Sequence, residues 1–571
     1  MAARNATTRI GMSLATISSS TATSSLPVCA LMQAHGATDD GQAIFFQRHP
    51  DRAMPASKGS DPLRFPQPEN AKEPLPMTPS RLAAATLALC LSTAAHAQDT
   101  LQITHVTVID PASRTVRPDM TVTLSGGLIA AVEPAALAAA PEGVRAIDGR
   151  GRFLIPGLMD MHVHTNVAPV TETSLALFLA HGITSVRDMA GDCWEPQTPP
   201  FLCRDDLVTY NARIDAGALA GPDLVRLSSA FVQSDRTGHL PPDADPMFTP
   251  QTEEQGRALA DYLDARGVDL VKMYHAILPA AYEGLMDRAG ELGLEVSGHI
   301  PLVLSAAEAS AAGQRTLEHA KDIVTDCSGF SAEYRSRIRA VIGGDETAQW
   351  PDDAERLSRT VASFDADTCR ALMRELAANG TYYVPTHGTR EMDVRAGDPA
   401  YRDHPALAYI PGFQRQHWDA DLDRTAAEPA EVRDHYARFY ALGLEVTALA
   451  HEAGVAVMVG TDANDTMIIP GVSAHEELAR LVEAGLGPMD ALRAATATPA
   501  RYLGRDGTLG TVQAGAEADL LLLDANPLDD IAGTRAIAAV IADGRLYDRA
   551  GLDALLDNVR QRAAEGTLPG E

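Results

Sequence analysis

Two histidines stand one residue apart at the end of Phe153-Leu-Ile-Pro-Gly-Leu-Met-Asp-Met-His-Val-His164. The apolar run from Gly157 to Met161 reads as a buried strand. Side chains alternate along a strand, so His162 and His164 face the same way. Two imidazoles at one strand end form a pincer for a transition metal. Other titratable residues follow short apolar runs in the same manner. They are Lys272 in Val-Asp-Leu-Val-Lys-Met-Tyr274, His299 in Ser-Gly-His, His319 in Leu-Glu-His and Asp462 in Val-Gly-Thr-Asp. Singly, each has a plain structural reading. Most of the 17 histidines are surface or structural groups, a lone lysine snorkels, and a lone aspartate serves a turn. Five strand ends supplying six such groups point to convergence on one site.

The elements that must position them alternate in type. Between 156 and 504 there are eight apolar strand candidates: 157–161, 183–187, 224–228, 269–273, 294–298, 315–318, 381–385 and 455–460. Helical stretches such as Thr173 to Ala180, Glu253 to Arg266, Ala280 to Leu292 and Ala371 to Ala378 separate them. Eight β-α units predict an α/β fold, a (β/α)8 TIM barrel, with chemistry at the C-terminal strand ends. Long segments follow the sixth and seventh strands, at about 320–378 and 386–454. Long loops on that face commonly act as lids and specificity elements. Short β-rich runs flank the barrel on both sides: 101–109, 120–124, 128–132, 144–147 and 153–155 before it, 517–523 and 536–542 after it. They are expected to pair into one small β-sandwich domain, 98–155 plus 505–560, around a barrel at 156–504.

The 571 residues exceed one compact core. A 45% hydrophobic and 22% charged composition is that of a globular chain. A net charge of −29 argues against nucleic acid as a partner, because phosphate needs the opposite sign. Residues 1–76 are Ser/Thr/Pro/Ala-rich without periodicity and read as an over-extended gene start. Met77-Thr-Pro-Ser-Arg81, the apolar run Leu82 to Leu91 and Ala95-His96-Ala97 have the layout of a signal peptide, 77–97. Ten apolar residues are too few for a membrane anchor, so a periplasmic or secreted enzyme is expected. Four cysteines remain after that leader. In an oxidising compartment Cys193–Cys203 and Cys327–Cys369 would form disulfides.

Pro156-Gly-Leu-Met-Asp-Met-His-Val-His164, strand-end His299 and His319, Gly460-Thr-Asp462 and Asp519 in Ala-Glu-Ala-Asp-Leu resemble the amidohydrolase superfamily over about 99–560. Lys272, with Ser-Gly-His299 and Leu-Glu-His319, is most similar to its imidazolonepropionase-like, prolidase-type branch. That branch includes dipeptidases, N-acyl amino-acid hydrolases and ochratoxin amidohydrolases. The resemblance implies two divalent metal ions, zinc being the expected metal, bridged by Lys272 carboxylated by CO2. His162, His164 and Asp462 would hold the first ion, and His299 and His319 the second. A free ammonium has no lone pair for a cation, whereas a carbamate offers two anionic oxygens.

The resemblance further implies that a bridging hydroxide attacks the amide carbonyl of a dipeptide or N-acyl amino acid, with Asp462 carrying the proton to the leaving amine. His239, in Arg-Thr-Gly-His239-Leu, and Tyr274 are candidates to steady the oxyanion. His239 departs from the branch's Gly-Gly-His-Gly. His387 and Arg390, in Val-Pro-Thr-His387-Gly-Thr-Arg390, are candidate substrate contacts, Arg390 through a carboxylate fork. The alternatives are a mononuclear deaminase, a lactonase or phosphotriesterase-like hydrolase, and an assembly protein that has lost the chemistry. A homo-oligomer is expected from the family.

Overall fold

The protein is described by a computed structural model covering residues 100–566, apart from 140–143, 196, 198, 235–244 and 346. The segments 1–76 and 77–97 and His239 lie outside the described residues. The chain opens with β1 (Leu101–Asp110), β2 (Thr115–Ser125), β3 (Leu128–Pro134), β4 (Arg145–Asp148) and β5 (Phe153–Pro156). Eight short strands follow: β6 (Leu158–Val163), β7 (Ile183–Asp188), β8 (Asp223–Leu227), β9 (Leu270–Met273), β10 (Glu295–Gly298), β11 (Thr316–Glu318), β12 (Tyr382–Val384) and β13 (Ala456–Val457). The chain then returns through β14 (Leu520–Leu523), β15 (Ile537–Ala542) and β16 (Arg545–Asp548).

The two ends of the chain share one eight-stranded sheet, ordered β16-β15-β14-β5-β1-β2-β3, with β4 also on β1. The join is β14 against β5, antiparallel from Leu520↔Pro156 to Leu523↔Phe153. The four leucines of β14 are all buried because both faces of that strand are covered. Leu520 and Leu522 pack among Ile103, Val108 and Ile541 of the flanking sheet. Leu521 and Leu523 pack with Ile183 and Phe178 of the middle region.

The middle strands form two parallel sheets, β6-β7-β8 and β13-β12-β11-β10-β9. Bridges join them at both seams. Ser228 pairs with Leu270 beside β8 and β9, and Val163 pairs with Ala463 at the other edge. Met161 N also donates to Val459 O at 2.9 Å. Parallel strands alternating with helices and joined at both edges fit a (β/α)8 barrel. All eight middle strands fall where the apolar runs place them.

In the long segments after β11 and β12, helix is expected only over Ala371 to Ala378; the remainder differs from the loops expected there. The two segments fold into the helices Ala320–Asp326, Ser331–Ile342, Asp353–Ser363 and Ala366–Asn379, then His387–Arg395, Pro399–Arg402, Gly412–Ala426 and Ala430–Ala453. The starts are encoded locally. Side chains of Asp352, Asp365 and Asp398 accept from backbone N–H groups of the first turn, and Pro411 and Pro429 precede the last two helices. The final helix, Arg549–Glu565, was also not anticipated; Asp548 caps it. Among the described residues, no helix is long and apolar enough to cross a membrane.

Both expected disulfides are present. Cys193 pairs with Cys203 and Cys327 with Cys369, with Cα atoms 4.6 and 4.5 Å apart. The second crosslink spans 42 residues, from buried Cys327 at the end of the helix Ala320–Asp326 to buried Cys369 in the helix Ala366–Asn379. Closing such a loop removes entropy from the unfolded chain. Cys369→Ser is therefore expected to lower unfolding free energy by about 3 kcal/mol, read by denaturant titration under non-reducing conditions.

Candidate metal centre

β6 carries His162 near its C-terminal end, and His164 follows directly after it. His162 is fully buried. Its Nε2 lies 3.2 Å from Asp462 Oδ1 and 3.2 Å from Lys272 Nζ. His164 Nε2 stands 2.7 Å from the same Asp462 oxygen, so both histidines reach one side of the strand. His162, His164 and Asp462 offer three ligand atoms within 4.8 Å of one another. Asp462 is held in place from β6. Asp160 accepts from Thr461 N at 3.0 Å and Thr461 Oγ1 at 2.7 Å.

His319 and His299 complete the cluster. The ring centroid of His319 is 4.9 Å from that of His162 and 4.3 Å from that of His299. Nδ1 of His319 bonds Thr386 Oγ1 at 2.8 Å. Its Nε2 is buried and has no hydrogen-bond partner among the described residues. A buried imidazole nitrogen left bare is costly, and a cation at that atom would satisfy it. His319, Thr386 and Asp462 all have left-handed backbone, φ 64°, 46° and 70°. Such conformations are uncommon outside glycine and cost on the order of 1–3 kcal/mol each.

The electrostatics suit metal ligation. Burial drives His299 and His319 well below the ordinary imidazole range, keeping lone pairs free of protons. Burial pushes the Asp462 carboxyl up, but His162 and His164 outweigh it and hold it well below the usual range. Lys272 is fully buried, and burial brings its amine down to about 8 against the opposing pull of Glu318 and Asp462. The donor set of four imidazoles, one carboxylate and a buried lysine fits divalent transition ions.

The other expected residues are placed as follows. Tyr274 stacks on Phe231, with centroids 4.8 Å apart and planes 4° from parallel, and its ring stands 4.5 Å from that of His299. His387 is buried on the helix His387–Arg395, with Nε2 2.9 Å from Thr447 Oγ1 on the helix Ala430–Ala453. Arg390 pairs with Asp393 at 2.9 Å. A substrate contact by either residue would compete with these partners.

Three buried residues at the centre were not given roles by the sequence. His275 packs against His299, with centroids 4.0 Å apart. Glu318 Oε2 lies 2.8 Å from His162 Nδ1, and Glu318 Oε1 lies 2.7 Å from Arg187 Nη2. The signal for Glu318 was its place beside His319. Nothing in the run Ile-Thr-Ser-Val-Arg187 marks the arginine as inward-facing.

The profile of the Amidohydrolase family matches residues 153–547. Ochratoxinase of Aspergillus niger is 24% identical over 414 residues, 70% of this chain and 76% of that protein. A structure titled bottromycin amidohydrolase superposes with TM-score 0.60 at 22% identity, covering 83% of this chain and 94% of its own. A putative prolidase from Bifidobacterium longum gives 0.55 at 23% identity, covering 81% and 99%. The chain belongs to the amidohydrolase family.

Proposed function

We propose that the chain is a metal-dependent amidohydrolase with a binuclear centre, cleaving dipeptides or N-acyl amino acids. The observation that carries this reading is the buried amine of Lys272, 3.2 Å from His162 Nε2, on the strand next to that bearing His299. An unmodified ammonium would repel a cation there. As a carbamate the same side chain would bring two anionic oxygens to ions held by His162, His164 and Asp462 and by His299 and His319. Ochratoxinase and the prolidase-like proteins, by name, support an amide substrate with an amino-acid portion. The eight middle strands are read as a (β/α)8 barrel at 156–504, and the flanking sheet, 98–155 plus 505–560, as a second domain. The two disulfides favour an oxidising compartment, in keeping with the export signal read at 77–97.

Bound divalent ions, with zinc the expected metal, would polarise the scissile carbonyl and make water a nucleophile at neutral pH. The chain's own residues do the rest. Asp462 stays ionised and receives a proton from the attacking water at its carboxylate. It then passes that proton to the leaving nitrogen. Tyr274, beside His299, steadies the carbonyl oxygen as it gains charge, and His239 is assigned the same task. The apolar wall of Phe231 and Trp194, with centroids 5.8 Å apart, keeps bulk water from one side of the site.

Lys272→Ala is expected to lower amide turnover by about 1,000-fold or more, roughly 4 kcal/mol, and to reduce bound metal. A variant with full turnover would refute the scheme. A panel of N-acyl amino acids, dipeptides, lactones and phosphotriesters is expected to show amides preferred; preferred hydrolysis of a lactone or phosphotriester would replace the substrate assignment. Gly298 has φ 126°, and an added Cβ would meet Met273 O at 2.5 Å and Lys272 Cδ at 3.1 Å. Gly298→Ala should displace the lysine stem and cost about 100-fold in kcat. Uptake of CO2 consumes the neutral amine, which forms a carbamate and releases one proton. With the amine near 8, reactivation of stripped enzyme by metal at equal dissolved CO2 should be faster at pH 8.5 than at pH 6.5. The reverse order would count against Lys272 as the acceptor.

A further inference from the structure

Arg187 and Glu318 have no solvent exposure, and neither is a ligand in the metal centre proposed above. A buried ion pair is a poor device for stability alone, because desolvation offsets most of the attraction. Its contacts suggest another use. Glu318 Oε1 receives Arg187 Nη2 at 2.7 Å and the Thr316 hydroxyl. That leaves Oε2 to face His162 Nδ1 at 2.8 Å. Arg187 is itself anchored. Its Nε donates to Met161 O at 2.6 Å, and its Nη1 to Thr316 Oγ1 at 3.2 Å and the Tyr502 hydroxyl at 3.1 Å. The Tyr502 hydroxyl in turn donates to Glu295.

We propose that Glu318, clamped by Arg187, is a positioning residue that fixes the proton of His162 on Nδ1 and so aims the Nε2 lone pair into the centre. This inference rests on the metal reading given above. A carboxylate only accepts hydrogen bonds, so the nitrogen facing it must donate. In a neutral imidazole the other nitrogen then carries the lone pair. That nitrogen, Nε2, is the one 3.2 Å from both Lys272 Nζ and Asp462 Oδ1. Arg187 also grips the carbonyl of Met161, the residue before His162. One guanidinium therefore holds both the backbone and, through Glu318, the ring of the same ligand. Carboxylates behind metal-bound histidines set tautomer and orientation in this way.

Glu318→Gln separates this role from simple packing. With Arg187 in place, the amide oxygen of the new side chain must face the guanidinium. Its NH2 then faces His162 Nδ1 and forces the ring proton to Nε2. Metal affinity, measured by chelator competition, should fall by about 10–100-fold, while circular dichroism of the metal-free protein stays unchanged. In the double variant Arg187→Met/Glu318→Gln, the amide can turn its oxygen back to His162, and most of the lost affinity should return. A merely structural pair predicts a double variant no better than the single one.

Nitrogen-15 histidine spectra of metal-free wild-type protein give a direct reading that needs no stable Glu318 variant. The His162 signal, assigned by its loss in His162→Gln, should show the proton on Nδ1. A proton on Nε2, or unchanged affinity in Glu318→Gln, would overturn the proposal. Wild-type protein that binds no divalent ion would defeat the metal reading instead, and the spectra would still decide whether Glu318 sets the tautomer.

Discussion

A lysine amine sealed away from water has few stable options. It can lose its proton, pair with a buried carboxylate, or become something other than an amine. Lys272 stands in that position, with burial working against its charge and Glu318 and Asp462 working for it. Three imidazoles nearby, His162, His299 and His319, are buried with it. They gather with the carboxylates of Asp462 and Glu318. Divalent ions would turn the imidazoles and Asp462 into ligands. The left-handed backbone at His319, Thr386 and Asp462 is consistent with a site whose geometry is set by chemistry more than by local preference.

The rest of the fold serves that crowding. Short strands of two to six residues bring residues from 162 to 462 to one end of the parallel strands. The flanking sheet, built from both chain ends, covers the outer face where Leu521 and Leu523 meet the middle region. Behind the clustered histidines and Asp462 a layer of polar side chains holds them. Asp160 secures Thr461 and thereby Asp462, while Thr386 bonds His319 and Glu318 bonds His162. Each of these bonds satisfies a buried polar atom.

Much of this was legible in the sequence, for a physical reason. A strand buried on both faces must be a continuous apolar run, so a histidine, lysine or aspartate at its end stands out. That contrast located His162, His164, Lys272, His299, His319 and Asp462. The cysteine pairing could be read because only two neighbouring pairs remain once the leader is set aside. Other features left no such contrast. Arg187 ends a run of mixed character and looks like a solvent-facing residue; only the ring of strands turns it inward. His275 follows Tyr274 directly, and alternation alone would send it away from the site. The helix Gly412–Ala426 is hard to read because its apolar face is thin. There only Trp418 and Leu422 are large buried apolar residues, and a single proline, Pro411, marks its start.

The central claim is that Lys272 carries a CO2-derived carboxyl between two ions. The most direct test joins elemental analysis of the purified protein with its carbon-13 spectrum after loading with labelled bicarbonate and zinc. The account predicts about two divalent ions per chain and one carbamate resonance that disappears in Lys272→Arg. A single tightly bound ion with no carbamate resonance would contradict it and would favour the mononuclear deaminase reading.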